Sequence, residues 1–141
     1  MDENLKREII LEHYKNPLNR GLIDDDSYLK ENTNNTSCID EIDLMVKIEN
    51  NKIKDIRFDG EACAICTSST SIMIESLIGK DIDEVKKILT NYLNMIDNKE
   101  YDKELLGTLN VYSDIAMQPN RKKCALLPWW GIEKILNKLN N

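Results

Sequence analysis

Residues 40–60, DEIDLMVKIENNKIKDIRFDG, decide the fold. Ile42, Leu44, Val46 and Ile48 recur at every second position, the period of a strand with one buried face. Asn50-Asn51 marks a turn, and residues 53–59 supply a second short strand with Ile56 and Phe58 inward before Gly60 closes it. The pattern predicts a β-hairpin. Working outward, residues 3–15 read as an amphipathic helix with Leu5, Ile9, Ile10 and Leu11 on one side, stopped by Pro17. Residues 24–37 are polar, and Asn32-Thr33-Asn34-Asn35-Thr36 is loop chemistry. Downstream, residues 64–78 predict a helix capped by Gly79. Its Ser and Thr content is poor for helix, so packing or a function at its start must hold it. Asp81-Ile82-Asp83-Glu84 is a capping box for a helix running to about Ile96. Short helical pieces are predicted at 102–106 and 114–118, and a last helix at 132–139. Pro128 can open that last helix but not sit inside it. Helix, strands, then helices indicate an α+β fold with a small antiparallel sheet.

The chain has 141 residues, which fits a single domain over 1–141. Its 19 basic and 25 acidic residues give a net charge of −6, which argues against a general nucleic-acid surface. No apolar run approaches the roughly 18 residues of a membrane span. Met1-Asp2-Glu3-Asn4 starts acidic, with no apolar stretch of a signal peptide. The expectation is a cytoplasmic protein whose thiols stay reduced. Four cysteines in that setting point to ligands, nucleophiles or core residues rather than disulfides.

Those cysteines stand at 38, 63, 66 and 124. Only Cys63-Ala64-Ile65-Cys66 forms a C-x-x-C, so the set is not a zinc ribbon or finger. Cys38 precedes the first strand of the hairpin, Cys63 follows the second at a helix start, and Cys124 lies in a loop at or before the last helix. Side chains at such boundaries can converge at one end of a domain. In Cys38-Ile39-Asp40 the i, i+2 spacing of an extended segment puts thiol and carboxylate on one face. Cys38, Asp40, Cys63 and Cys124 therefore make a plausible tetrahedral zinc set. Arg121-Lys122-Lys123, just before Cys124, would offset the charge of such an anionic cluster. The plain alternative is four core cysteines.

Several motifs together resemble the IscU/SufU/NifU N-terminal family of iron–sulfur cluster assembly proteins. They are His13-Tyr14-Lys15-Asn16-Pro17 with Asn19-Arg20-Gly21, then Cys38-Ile39-Asp40, then residues 56–63 ending in Cys63, then Ser68-Ser69-Thr70-Ser71, then Arg121-Lys122-Lys123-Cys124. Lys123, where IscU-type members usually carry histidine, and an extra segment over residues 94–109 resemble the SufU-type branch.

The resemblance implies a three-stranded antiparallel sheet with helices on one face; the third strand would fall between residues 22 and 36, or be short. It implies zinc on Cys38, Asp40, Cys63 and Cys124. It also implies that Cys38 accepts sulfur from a SufS-type cysteine desulfurase, leaving the metal when that partner docks and supplies a histidine. Arg121 would be a cation orienting the ligands or their loop, or a plain surface charge. Two other functions stay open. One is a scaffold holding a [2Fe–2S] cluster on Cys38, Cys63 and Cys124 for apo-proteins or a downstream scaffold. The other is a structural zinc adaptor. Cys66 and the Pro128-Trp129-Trp130 segment depart from the family pattern. Cys66 reads first as a core residue, and otherwise as an extra ligand or a persulfide relay. His13 reads as a surface or packing residue. One of the two tryptophans should be core, and the other, with Leu126 or Leu127, a docking patch.

Overall fold

The computed structural model describes residues 1–35 and 39–139. The predicted hairpin forms as β2 (Glu41–Glu49) and β3 (Lys52–Glu61), paired antiparallel. Its turn, Asn50-Asn51, has φ of 52° and 62°, the doubly left-handed backbone of a tight hairpin turn. A register shift at Lys47/Ile48 then places one extra residue on β3, so that Glu41 faces Glu61.

A third strand, β1 (Leu29–Asn34), pairs antiparallel with β2 and gives the order β1-β2-β3. It lies within the window the family resemblance implied. It also corrects the reading of residues 32–34 as loop. Asn32 finds partners across the sheet: its Nδ2 donates to Asp43 Oδ1 at 2.8 Å and to Glu41 Oε1 at 3.0 Å, and Asn34 Nδ2 donates to Asn32 Oδ1 along the strand at 3.0 Å.

Around the sheet lie α1 (Glu3–Lys15), α2 (Ala64–Leu77), α3 (Ile82–Ile96), α4 (Lys103–Leu106), a 3-10 segment (Gly107–Met117) and α5 (Pro119–Leu139). α1 begins at Asp2, whose carboxylate accepts the Leu5 N–H at 2.8 Å. Ile9 and Ile10 pack on the core, whereas Leu5 and Leu11 stay exposed, a narrower apolar side than the sequence suggested. Asp81 caps α3 through the Glu84 N–H at 2.8 Å. The expected piece at 114–118 is the end of the longer 3-10 segment.

One sheet face carries Ile42, Leu44, Val46, Ile56 and Phe58, all at most 1% exposed, beneath α2 and α5. Each such fully buried side chain contributes about 1.5–3 kcal/mol. α5 approaches closely because Gly131 has no side chain: a Cβ there would lie 2.5 Å from Leu44 Cδ1. Both sheet edges are covered. Gly21 N–H donates to Phe58 C=O at 2.7 Å along β3. Lys134 and Lys138 of α5 donate to the Asn32 and Lys30 carbonyls along β1, at 3.1 and 2.8 Å. No helix among the described residues is long and apolar enough to cross a membrane.

Gly60, near the end of β3, has φ of +139°, and a Cβ there would meet Glu41 O at 2.1 Å. Gly60→Ala should therefore strain and push apart the open end of the hairpin, at a cost of about 2–4 kcal/mol. Urea unfolding measures it. A variant as stable as the parent would show that the backbone does not approach this closely.

Candidate metal centre

The open end of the β2–β3 hairpin leads directly into α2. Cys63 is the N-cap of α2, and its Sγ accepts the Cys66 N–H at 3.4 Å. The Cys63 N–H, unsatisfied within the helix, donates to Asp40 Oδ1 at 2.8 Å. Asp40 is 3% exposed, and its second oxygen, Oδ2, is buried with no hydrogen-bond partner among the described residues. Cys124 approaches from α5. Asp40, Cys63 and Cys124 each offer one ligand atom, and these atoms lie within 4.8 Å of one another.

The donor set fits a small divalent cation. Zinc takes thiolate and carboxylate ligands in a tetrahedron with bonds of about 2.3 Å to sulfur, which sets ligand atoms roughly 3.7 Å apart. A buried carboxylate oxygen without a donor is costly unless something occupies it. Cys38, the fourth predicted ligand, lies outside the described residues.

Cys124 sits in the second turn of α5, not in a loop. The helix continues through Pro128, contrary to the expectation that proline opens it. Proline has no N–H for the Cys124 carbonyl four residues back. Side chains from elsewhere take up the carbonyls that follow. Ala125 C=O accepts the Ser69 hydroxyl and the Tyr92 hydroxyl, each at 2.8 Å. Leu127 C=O accepts the Thr33 hydroxyl at 3.0 Å. Tyr92 in turn stacks on Trp129, with centroids 4.4 Å apart. Ser68 bonds Tyr112 Oη at 2.5 Å. Sequence reading missed this network; its signal was a Ser/Thr-rich helix with too poor a propensity to stand on its own.

Cys66 is fully buried in the core and is not in the group formed by Asp40, Cys63 and Cys124. Arg121 is exposed on the first turn of α5, on the wall of a groove of about 370 Å³ that also includes Arg7, Ile10, Ala64 and Ile65. Trp129 is core, and Trp130 and Leu126 are half-buried against it. His13 packs on α2, with Nδ1 2.7 Å from Ser71 Oγ and Nε2 3.3 Å from Glu75.

Burial, then the neighbouring Cys63 and Asp40, push the Cys124 thiol up to about 12 from an ordinary 9.0. The sign of the consequence for the metal-free chain is fixed. Above pH 9.0 the unfolded chain releases this proton while the folded chain keeps it, so stability falls as pH rises from 9.0 towards about 12. Urea midpoints of metal-free protein across that range should decline. Cys124→Ser, which does not titrate, should remove part of the slope; an unchanged slope refutes the assignment.

Comparison with known proteins places this geometry. Residues 5–125 match the NifU-like N terminal domain. The chain is 35% identical over 133 residues to the zinc-dependent sulfurtransferase SufU of Bacillus subtilis, covering 94% of this chain and 89% of that protein. It is 33% identical over 133 residues to the iron–sulfur cluster assembly scaffold protein IscU of Thermotoga maritima, covering 94% and 93%. A crystal structure from Fervidobacterium islandicum, described as a scaffold candidate for iron–sulfur cluster assembly in the SUF system, superimposes with a TM-score of 0.87 at 37% identity, over 92% of this chain and 94% of that one. The N-terminal NifU-like protein of Brucella abortus has the same fold, with a TM-score of 0.81 at 17% identity over 99% and 98%. With a three-stranded antiparallel sheet, a helix opening on Cys63 and matches over nearly its whole length, the chain belongs to the NifU-like N-terminal domain family.

Proposed function

We propose that this chain is a zinc-dependent sulfurtransferase of iron–sulfur cluster assembly that receives persulfide sulfur on Cys38 from a SufS-type cysteine desulfurase. The observation that carries the reading is the convergence of Asp40, Cys63 and Cys124, whose ligand atoms lie within 4.8 Å of one another, together with a buried Asp40 Oδ2 that has no hydrogen-bond partner among the described residues. A likeness to a zinc-dependent sulfurtransferase over 94% of the chain supports it. Asp40, Cys63, Cys124 and Cys38 would hold the ion. Bound zinc supplies a charge that keeps thiolates unprotonated at neutral pH.

The transfer is a thiol exchange. The Cys38 thiolate attacks the outer sulfur of the desulfurase persulfide. A new S–S bond forms on Cys38, the old one breaks, and the desulfurase cysteine leaves as a thiolate. No oxidant or reductant is consumed. Asp40 and Cys63 keep the receiving end of the domain closed, because the Asp40–Cys63 N–H bond ties the start of β2 to the start of α2. We read residues 1–141 as one domain acting in the cytoplasm. Arg121, exposed beside the groove, then faces the partner and not the ligands.

Protein purified without added metal should contain about one zinc per chain, and Asp40→Ala or Cys63→Ser should lose most of it. Metal analysis decides this. A brown protein with iron and acid-labile sulfide would favour the scaffold reading shared with the IscU relatives.

Desulfurase turnover should rise when the chain is added, and Cys38→Ala should abolish the rise. Alkylation and mass spectrometry after mixing should find one extra sulfur on Cys38. Full stimulation by Cys38→Ala rules out Cys38 as the acceptor.

A further inference from the structure

We infer that Ser69 and Tyr92 are positioning residues for the metal centre, together clamping the Ala125 carbonyl so that Cys124 keeps its spacing from Cys63. The inference rests on the reading of Cys63 and Cys124 as ligands.

The need for a clamp comes from Pro128. A ligand near the start of a helix is normally held by the helix's own bonds. Here the bond from residue 128 back to the Cys124 carbonyl cannot form, because proline has no N–H. The weak point of α5 therefore coincides with the residue that carries a thiol. The next carbonyl along, that of Ala125, accepts two hydroxyls at 2.8 Å from two different helices. Two donors from outside α5 thus converge on one carbonyl oxygen, beside the carbonyl that Pro128 leaves without its N–H.

The two donors are themselves held fast. Ser69 and Tyr92 are completely buried. Tyr92 is locked by stacking on Trp129 at 4.4 Å and by an edge-to-face contact with Tyr112 at 6.4 Å. Burial keeps the Tyr92 hydroxyl protonated far above the usual tyrosine range, so it remains a donor.

Ser69 lies on α2, the helix that opens at Cys63. Its bond to Ala125 joins the helix carrying one thiol to the residue beside the other. Sliding α2 against α5 would break this bond and change the Cys63–Cys124 separation together. Thr33, which holds Leu127 C=O from β1, ties α5 to the sheet instead and bears on neither thiol directly.

Cobalt(II) titration of the metal-free chain tests this, with affinity from competition against a chelator and geometry from the cobalt absorption bands. The variants are Ser69→Ala, Tyr92→Phe, their double, and Thr33→Val as control. Either single variant leaves one donor and should weaken binding a few-fold. The double should weaken it about 10–100-fold and alter the bands. Thr33→Val should lower stability but leave cobalt binding unchanged.

A folded double variant that binds cobalt like the parent, with the same bands, overturns the clamp. So does an equal loss in Thr33→Val, which would mean general loosening of α5. If the double does not fold by circular dichroism, the singles decide: weaker binding with altered bands supports the clamp, and parental values overturn it. A parent chain that takes up no cobalt overturns the metal reading and the clamp with it.

Discussion

The register of the β2–β3 hairpin is the constraint on which the rest of the molecule depends. Two asparagines with positive φ close the turn, and one extra residue on β3 shifts the pairing beyond it. The result sets Glu41 opposite Glu61, so that Asp40, just before β2, meets the backbone of Cys63, just after β3. A slip of one residue would turn Ile42, Leu44 and Val46 away from the helices and separate the Asp40 carboxylate from the Cys63 N–H at the start of α2. The apolar face and the metal centre are therefore held by the same register. A hydrophobic misfit on one side is a ligand misplacement on the other.

The helices solve a different problem. α2 is buried along most of its length although Thr67, Ser68, Ser69, Thr70 and Ser71 run through it. Several of these hydroxyls bond within the helix itself: Ser68 reaches Ile65 C=O at 3.2 Å and Thr70 reaches Cys66 C=O at 2.9 Å. Ser68 also meets the Tyr112 hydroxyl outside the helix, and Ser69 leaves it for the Ala125 carbonyl. Small side chains let α1 and α5 approach closely on either side, and the Ser69 hydroxyl reaches the Ala125 carbonyl, next to the one that Pro128 leaves without its N–H donor. The polarity of α2 and the proline of α5 are two parts of one arrangement.

Much of this was legible in the sequence. Period-two apolar residues exposed the hairpin, and α1 was placed at 3–15 by its stop at Pro17. The Asp81 box marked the start of α3. Asp40, Cys63 and Cys124 were singled out by spacing and by resemblance, and they do converge. What was missed has one cause, partners distant in sequence. β1 reads as loop because its asparagines are poor strand formers, and it pairs only because β2 and two lysines of α5 supply its hydrogen bonds. α5 reads as broken at Pro128 because local rules cannot see Ser69, Tyr92 and Thr33 waiting for its carbonyls.

By itself, then, the sequence determined the alternation, the turn, the caps and the chemical types of the ligands. These depend on neighbours within a few residues, where backbone geometry is the same in any fold. Only the tertiary structure decided which oxygen of Asp40 lacks a donor, that Cys124 rides on a helix and not a loop, and that Cys66 stays in the core. Each depends on how α2 and α5 lie across the sheet. That packing is set by the summed fit of many buried side chains, from Gly131 over Leu44 to Tyr92 on Trp129, and no local window contains it.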